Sequence, residues 1–405
     1  MNETAERNVA IGYLRAFVTL LVLLHHSVLA YATIAPKPGA FASPLLIWSA
    51  FPVVDSAKWR GFDLIAGFND IFFMSLMFFI SGLFVPTSLA RKGSVRFLSD
   101  RVLRLGIPFA IAAALLAPLA YYPAWLQSGG APDLAQFWRA WIALPFWPAG
   151  PAWFLWVLVV FGSLAAIFNL ISPRLIDGLG RFGAHADAHP WRFFFGLIVL
   201  SAISYIALSL TYDPYRWLHY GPFTVQASRM LHYAVYYFSG IAVGASGFRL
   251  LSPDGKLARR WWLWLLLAPV GFILIGAVLI VAAAAKGQPV AQWETLGGVA
   301  FALSCGLSSF ALTAVFVRFA QSRARLLDSL SDNAYGMYVV HYVFVAWTQY
   351  LLLGASLSGV AKGFIVFGLV VILSWSTTAL LRRAPGVARI LGTASHEHRH
   401  AAIAG

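Results

Sequence analysis

The sequence predicts an all-α, polytopic integral membrane protein with about ten transmembrane helices, and three observations carry that prediction. Hydrophobic residues make up 60% of the 405-residue chain and charged residues only 11%, against about 25% charged in a typical soluble domain. Mean hydropathy is +0.75. Runs of about 20 apolar residues, the length that crosses the hydrocarbon core, recur about ten times. The expected spans are 9–32, 68–90, 101–123, 151–171, 192–212, 229–248, 260–284, 295–320, 332–354 and 359–383.

The first span carries Arg15, His25 and His26 in its body. It is too long for the apolar region of a cleaved signal peptide and reads as a retained helix. Ionisable residues inside an apolar span must be satisfied by partners or a polar cavity, a cost usually tolerated for function. Eleven positions at about 100° leave Arg15 and His26 about 20° apart on one face, with roughly 16 Å between them along the axis. His25 sits about 80° off that face. The second span opens at Asp70 and runs in the opposite direction, so Asp70 and His26 are expected at similar depth. A carboxylate there is suited to orient an imidazole.

Arg101 and Arg104 open the third span in DRVLRLGIPF. Three residues apart on a helix, they share a face, and a helix N-terminus would add its positive end, making a phosphate clamp. Positive-inside anchoring accounts for the same pair. The fourth and fifth spans are apolar. In the sixth, Arg229, His232 and Tyr236 fall at i, i+3 and i+7, a hydrogen-bonding stripe suited to a sugar or polyol. The seventh and eighth are again apolar. Cys305, in the eighth, is the only cysteine; it excludes an internal disulfide or a cysteine-based metal site and reads as a packing residue. Tyr338 and His341, three residues apart in the ninth span, share a face and need buried partners, supplied either by a structural network or by a bound substrate. The tenth span is mostly apolar, with Lys362 near its start and Arg382 and Arg383 at its end.

The longest connections are 33–67 and 124–150. Pro36, Pro38, Pro44 and Pro52 alternate with Phe41, Trp48, Phe51 and Trp59 in the first, and Trp125, Trp138, Trp141 and Trp147 mark the second. They read as lids or as interfacial aromatic belts. His185 and His189 have a spacing seen in some zinc sites but lack a further ligand, and the tail containing His396, His398 and His400 reads as solvated, so no metal is expected.

A net charge of +14 would suit nucleic acid only if it were gathered on one surface. Instead, most of the basic residues fall in alternate connections, among them Arg91, Lys92, Arg96, Arg174, Arg181, Arg259, Arg260, Arg382 and Arg383. That asymmetry places both termini in the cytoplasm and makes the bilayer, not nucleic acid, the partner. The organisation expected is a cytoplasmic tail at 1–8, a transmembrane domain at 9–384 and a second cytoplasmic tail at 385–405, with no fused soluble domain.

Five motifs occur in order along nearly the whole chain: Arg15 with His26 eleven positions on, FFISG at Phe78 to Gly82, DRVLRLGIPF, PAWFL at Pro151 to Leu155, and SDNAYGMYVVH. Together they resemble the acyltransferase 3 family of integral membrane acyltransferases. Gly12 stands where the family often has an aspartate. The resemblance implies that the essential histidine is His26 and that Arg101 and Arg104 bind acyl-CoA, the acyl donor; Arg15, on the same face as His26 toward the cytoplasm, is a further candidate phosphate contact. It implies O-acylation, with acetyl, succinyl or a similar group, of an extracytoplasmic carbohydrate or small-molecule acceptor, in the inner membrane of a bacterium. His26 would be a general base, a usual task for imidazole near neutral pH; direct transfer and an acyl-histidine intermediate both fit. The competing class is a transporter or flippase for a sugar or lipid-linked substrate, which would move its substrate without consuming CoA.

Overall fold

The computed structural model describes residues 9–41, 50–285 and 290–392. Pro44, Trp48 and the tail histidines lie outside them. The described chain is almost entirely helical: α1 Val9–Leu29, α2 Gly61–Leu83, α3 Val85–Gln127, α4 Leu134–Ile142, α5 Trp153–Ile171, α6 Pro173–Ala188, α7 Pro190–Tyr212, α8 Met230–Ala245, α9 Trp261–Ala284, α10 Val290–Phe319, α11 Arg325–Leu351, α12 Gly359–Leu381 and α13 Pro385–Leu391. The exception is an antiparallel hairpin, β1 Trp217–Tyr220 with β2 Phe223–Gln226, which hydropathy does not foreshadow.

Eight described helices are long and apolar enough to cross a membrane, or nine if the bent pair Ala227–Ala245 and Arg249–Arg259 counts as one broken span. The sequence suggested about ten. The ninth expected segment, α11, has the length but is excluded from that count, because Asp328, Asp332, Asn333, His341 and Gln349 lower its hydropathy. The 124–150 connection also differs from expectation, since it contains α4. Asp133 caps that helix by accepting from the Ala135 and Gln136 amides at 2.7 and 3.2 Å, and Phe137 and Trp141 bury its apolar side.

The chain divides into two compact units. The first comprises residues up to Val18, Gly67–Ser99 and Val157–Arg323. Within it, α2 and α8 approach closely through glycine: a Cβ at Gly240 would collide with the Phe79 carbonyl oxygen, one at Gly244 with that of Leu83, and one at Gly82 with that of Tyr237. Small residues four apart allow such backbone contact where no hydrophobic effect drives helices together in lipid. Gly240→Ala must push the helices apart. The expected loss, about 1–3 kcal/mol as for other overpacked cores, is measurable by thermal unfolding in detergent.

The second unit comprises Thr19–Ala66, Asp100–Trp156 and Ala324 onward. Its architecture follows from three prolines, Pro108, Pro118 and Pro123, in the part of α3 that it contains. An α-helical carbonyl expects the N–H four residues on, and proline has none. The Arg104 carbonyl, facing Pro108, instead accepts from the Tyr335 hydroxyl, and the Leu119 carbonyl, facing Pro123, accepts from the Trp347 indole at 3.0 Å. Ahead of Pro118, α3 widens into a π turn at Ala112–Leu116, where the Ala117 amide bonds to Ala112. The Ala113 carbonyl so released accepts from the Trp147 indole at 2.9 Å. Tyrosine and tryptophan tips thus satisfy backbone that the prolines expose, a requirement in a medium without water.

A π turn also occupies Val102–Gly106, and the break in α3 lies at Gly93, whose φ of 71° is left-handed. This corrects the reading of Arg101 and Arg104 as the start of a helix. They lie inside α3, without free N-terminal amides, and flank the beginning of a π turn, an irregularity frequent at functional sites.

Candidate active site

In the second unit one helix holds three of the sequence motifs together. Along α11, Tyr335 donates to the Arg104 carbonyl, Tyr338 donates to the Pro151 carbonyl of PAWFL, and His341 contacts His26. The spacing of three residues keeps these side chains on a slowly winding stripe.

His26 Nδ1 lies 2.8 Å from the Val22 carbonyl and 3.3 Å from His341 Nε2. His341 Nδ1 lies 2.6 Å from the Tyr338 carbonyl. Carbonyl oxygens only accept, so each Nδ1 carries the proton. His341 Nε2 therefore presents its lone pair to His26 Nδ1–H, which the Val22 carbonyl shares. His26 is left with its lone pair on Nε2, the tautomer a general base requires. The ring is fixed further by Tyr342, edge-on with centroids 5.2 Å apart. Gln349 Nε2 donates to the carbonyls of His26 and Ser27 at 2.9 and 3.1 Å. Gly150, at φ 54°, faces Tyr342: a Cβ there would approach the ring to 3.1 Å. Gly150→Ala combines backbone strain with pressure on a ring touching His26, so a several-fold fall in turnover is expected in steady-state assays.

His26 and the Tyr338–His341 pair, expected separately, are thus brought together. Arg101 is half-buried and Arg104 exposed, and the Tyr335 hydroxyl holds the Arg104 carbonyl. Sequence reasoning missed Tyr342, Gln349 and Tyr335 itself, although all three lie on the same helix as the histidine of the last motif.

The first unit contains a separate polar group. Arg229, only 7% exposed, donates from Nη2 to Asp70 Oδ2 at 2.6 Å and from Nη1 to the Asp70 carbonyl at 2.9 Å, and Asp70 keeps 47% of its side chain exposed. The guanidinium also lies 5.0 Å from the Phe301 ring centroid. His232 is fully buried. Its Nε2 is 2.9 Å from Ser75 Oγ, and its Nδ1 is 2.6 Å from Ser201 Oγ. Tyr236 packs on it with ring centroids 4.9 Å apart. Asp70 and Arg229, predicted for different tasks, form one ion pair. Ser75 and Ser201 carried no signal in the sequence. Arg15 is exposed on α1. Among the described residues no group of three His, Cys, Asp or Glu side chains is placed to hold a metal.

An apolar helical body with ionisable groups buried within it defines an integral membrane protein. The chain belongs to the Acyl_transf_3 family, described as an acyltransferase domain, which matches residues 8–379. No curated protein and no solved structure matches it.

Proposed function

We propose that the protein transfers an acyl group from cytoplasmic acyl-CoA to a hydroxyl of an extracytoplasmic carbohydrate or related acceptor. The observation that carries this reading is the His341–His26 hydrogen bond, which leaves His26 Nε2 as a base. Arg101 and Arg104 bind the donor's phosphates by charge-assisted hydrogen bonds. Nε2 of His26 takes the acceptor's hydroxyl proton as the oxygen attacks the thioester carbonyl. The carbon–sulfur bond breaks, and the departing CoA sulfur receives the proton. His341 stabilises the imidazolium in between by accepting from His26 Nδ1–H. Within the first unit, Arg229, His232 and Tyr236 offer a hydrogen-bonding stripe suited to a sugar or polyol.

The test is incubation of purified protein with labelled acyl-CoA, alone and with cell-envelope extract, followed by identification of the labelled product. A labelled extract component and stoichiometric free CoA are expected. Movement of a sugar or lipid-linked substrate without CoA consumption would overturn the proposal in favour of a transporter. Arg101→Ala or Arg104→Ala is expected to weaken acyl-CoA binding about tenfold or more, the worth of one charged hydrogen bond. Calorimetric titration reads this directly.

A further inference from the structure

Within the second unit, α4 packs beside the last turns of α3. The Phe137 ring meets Tyr122 edge-on with centroids 4.9 Å apart, and Trp141 packs on Tyr121 at 5.8 Å; both α4 rings are buried. At about 100° per residue these two positions span about 40° of the helix. Leu134, Trp138 and Ile142 begin about 20° beyond Trp141 and take a further arc of about 80°, yet they are 71%, 43% and 60% exposed. Gln136 and Arg139, also exposed, occupy the opposite side. The helix thus carries an apolar arc wider than the part its own protein covers.

The neighbours of α4 identify what covers the remainder. On α3, Ile111, Leu115 and Leu119 are exposed at successive turns of a helix long and apolar enough to cross a membrane, which makes them a lipid-facing stripe. Tyr122, which receives Phe137, stands one turn beyond Leu119, so α4 sits at the end of that stripe, away from Arg101 and Arg104. Among the tryptophans of this region, Trp125 and Trp147 donate their N–H to the Ala131 and Ala113 carbonyls and Trp141 is buried, whereas Trp138 faces outward. An exposed indole at a span's end suits the bilayer boundary, with its ring in hydrocarbon and its N–H among headgroups. We propose that α4 is an interfacial helix docked on phospholipid, with Leu134, Trp138 and Ile142 in the acyl region and Gln136 and Arg139 toward water, the division of faces that such helices require. A second copy of the chain is a poorer occupant, since the open apolar area is on the order of 300 Å², below the roughly 800 Å² per partner of a stable protein interface. The covered edge of α4 ends on Tyr121, whose ring lies 5.8 Å from that of Tyr342, itself edge-on to His26; the lipid-seated helix therefore backs the aromatic cluster beside the candidate base.

Cys305 is the only cysteine and is buried, so a nitroxide can be attached selectively at Leu134→Cys, Trp138→Cys, Ile142→Cys and, on the opposite side, Gln136→Cys. The full-length protein is placed in vesicles of phosphatidylcholine and phosphatidylglycerol, and power-saturation EPR reads each label's collisions with oxygen, which concentrates among acyl chains, and with a water-soluble nickel chelate. Labels at 134, 138 and 142 are expected about 5–10 Å inside the headgroup boundary, favouring oxygen, with the label at 136 favouring nickel. All four positions are exposed, and each of the three apolar ones is read separately, so loss of one variant to misfolding leaves two that decide. Nickel reaching all four alike would place the face in water and overturn the proposal. So would exclusion of both reagents from 134, 138 and 142, which would mean that protein covers them, or depth at 136 equal to theirs, which would mean a submerged helix.

Discussion

Replacement of His26 by alanine is expected to lower acyl transfer by about 10²–10⁴-fold, the usual contribution of a positioned general base, with insertion and acyl-CoA affinity retained. The rate and the donor titration must be measured on the same preparation, because only their divergence identifies a base. His341→Ala is expected to have a smaller effect. It removes an acceptor for His26 Nδ1–H, but the Val22 carbonyl at 2.8 Å still fixes the tautomer. An unchanged rate in His26→Ala would end the mechanism outright.

The largest stability effect is expected at Lys362. Its ammonium lies 2.7 Å from Asp55 Oδ2, with both side chains 2% exposed, and it also reaches the Leu353 carbonyl at 3.3 Å. Asp55 Oδ1 accepts from the Ala57 amide at 2.8 Å. Lys362→Met strands a buried carboxylate and is expected to cost about 3–5 kcal/mol. Lys362→Met combined with Asp55→Leu should recover most of that loss, since removing both charges leaves neither unpaired. Thermal unfolding of the single and double variants in one detergent decides it; equal destabilisation by both would refute the pairing argument.

That ion pair also bears on the site. Asp55 donates its backbone N–H to the Ala30 carbonyl, and the Trp59 amide donates to Tyr31. Lys58 reaches the Ala30 carbonyl at 3.0 Å, and Gln127 brackets Val54 by bonding both its N–H and its C=O. The 52–60 segment is therefore strapped to the residues immediately after the helix that carries His26. Loosening the strap should lower turnover as well as stability.

Much of this was legible along the chain. Arg15, His25 and His26 stand out in α1 because ionisable residues are rare in apolar runs. The five motifs, in order, announced the family. The partners of His26 were not legible, since His341 lies on a helix 315 positions away and no local pattern encodes a contact of that range. The role of Tyr335 was hidden for a related reason: it answers a vacancy created by Pro108 in another helix, and a tyrosine in an apolar segment has many uses. Lys362 and Asp55 carried no signal along the chain, because burial is decided by whatever packs over a residue.

By itself, then, the sequence determined what depends on composition and short spacing: a helical membrane protein, the identity of its expensive polar residues and its family. The tertiary structure decided what depends on which backbone and side-chain groups face one another. It converted Arg101 and Arg104 from a helix start into residues flanking a π turn, paired Asp70 with Arg229, and set His341 against His26 so that one lone pair is left for chemistry. Each of those outcomes satisfies a buried polar group across helices, and hydrogen-bond satisfaction in an apolar medium is a property of the packed chain.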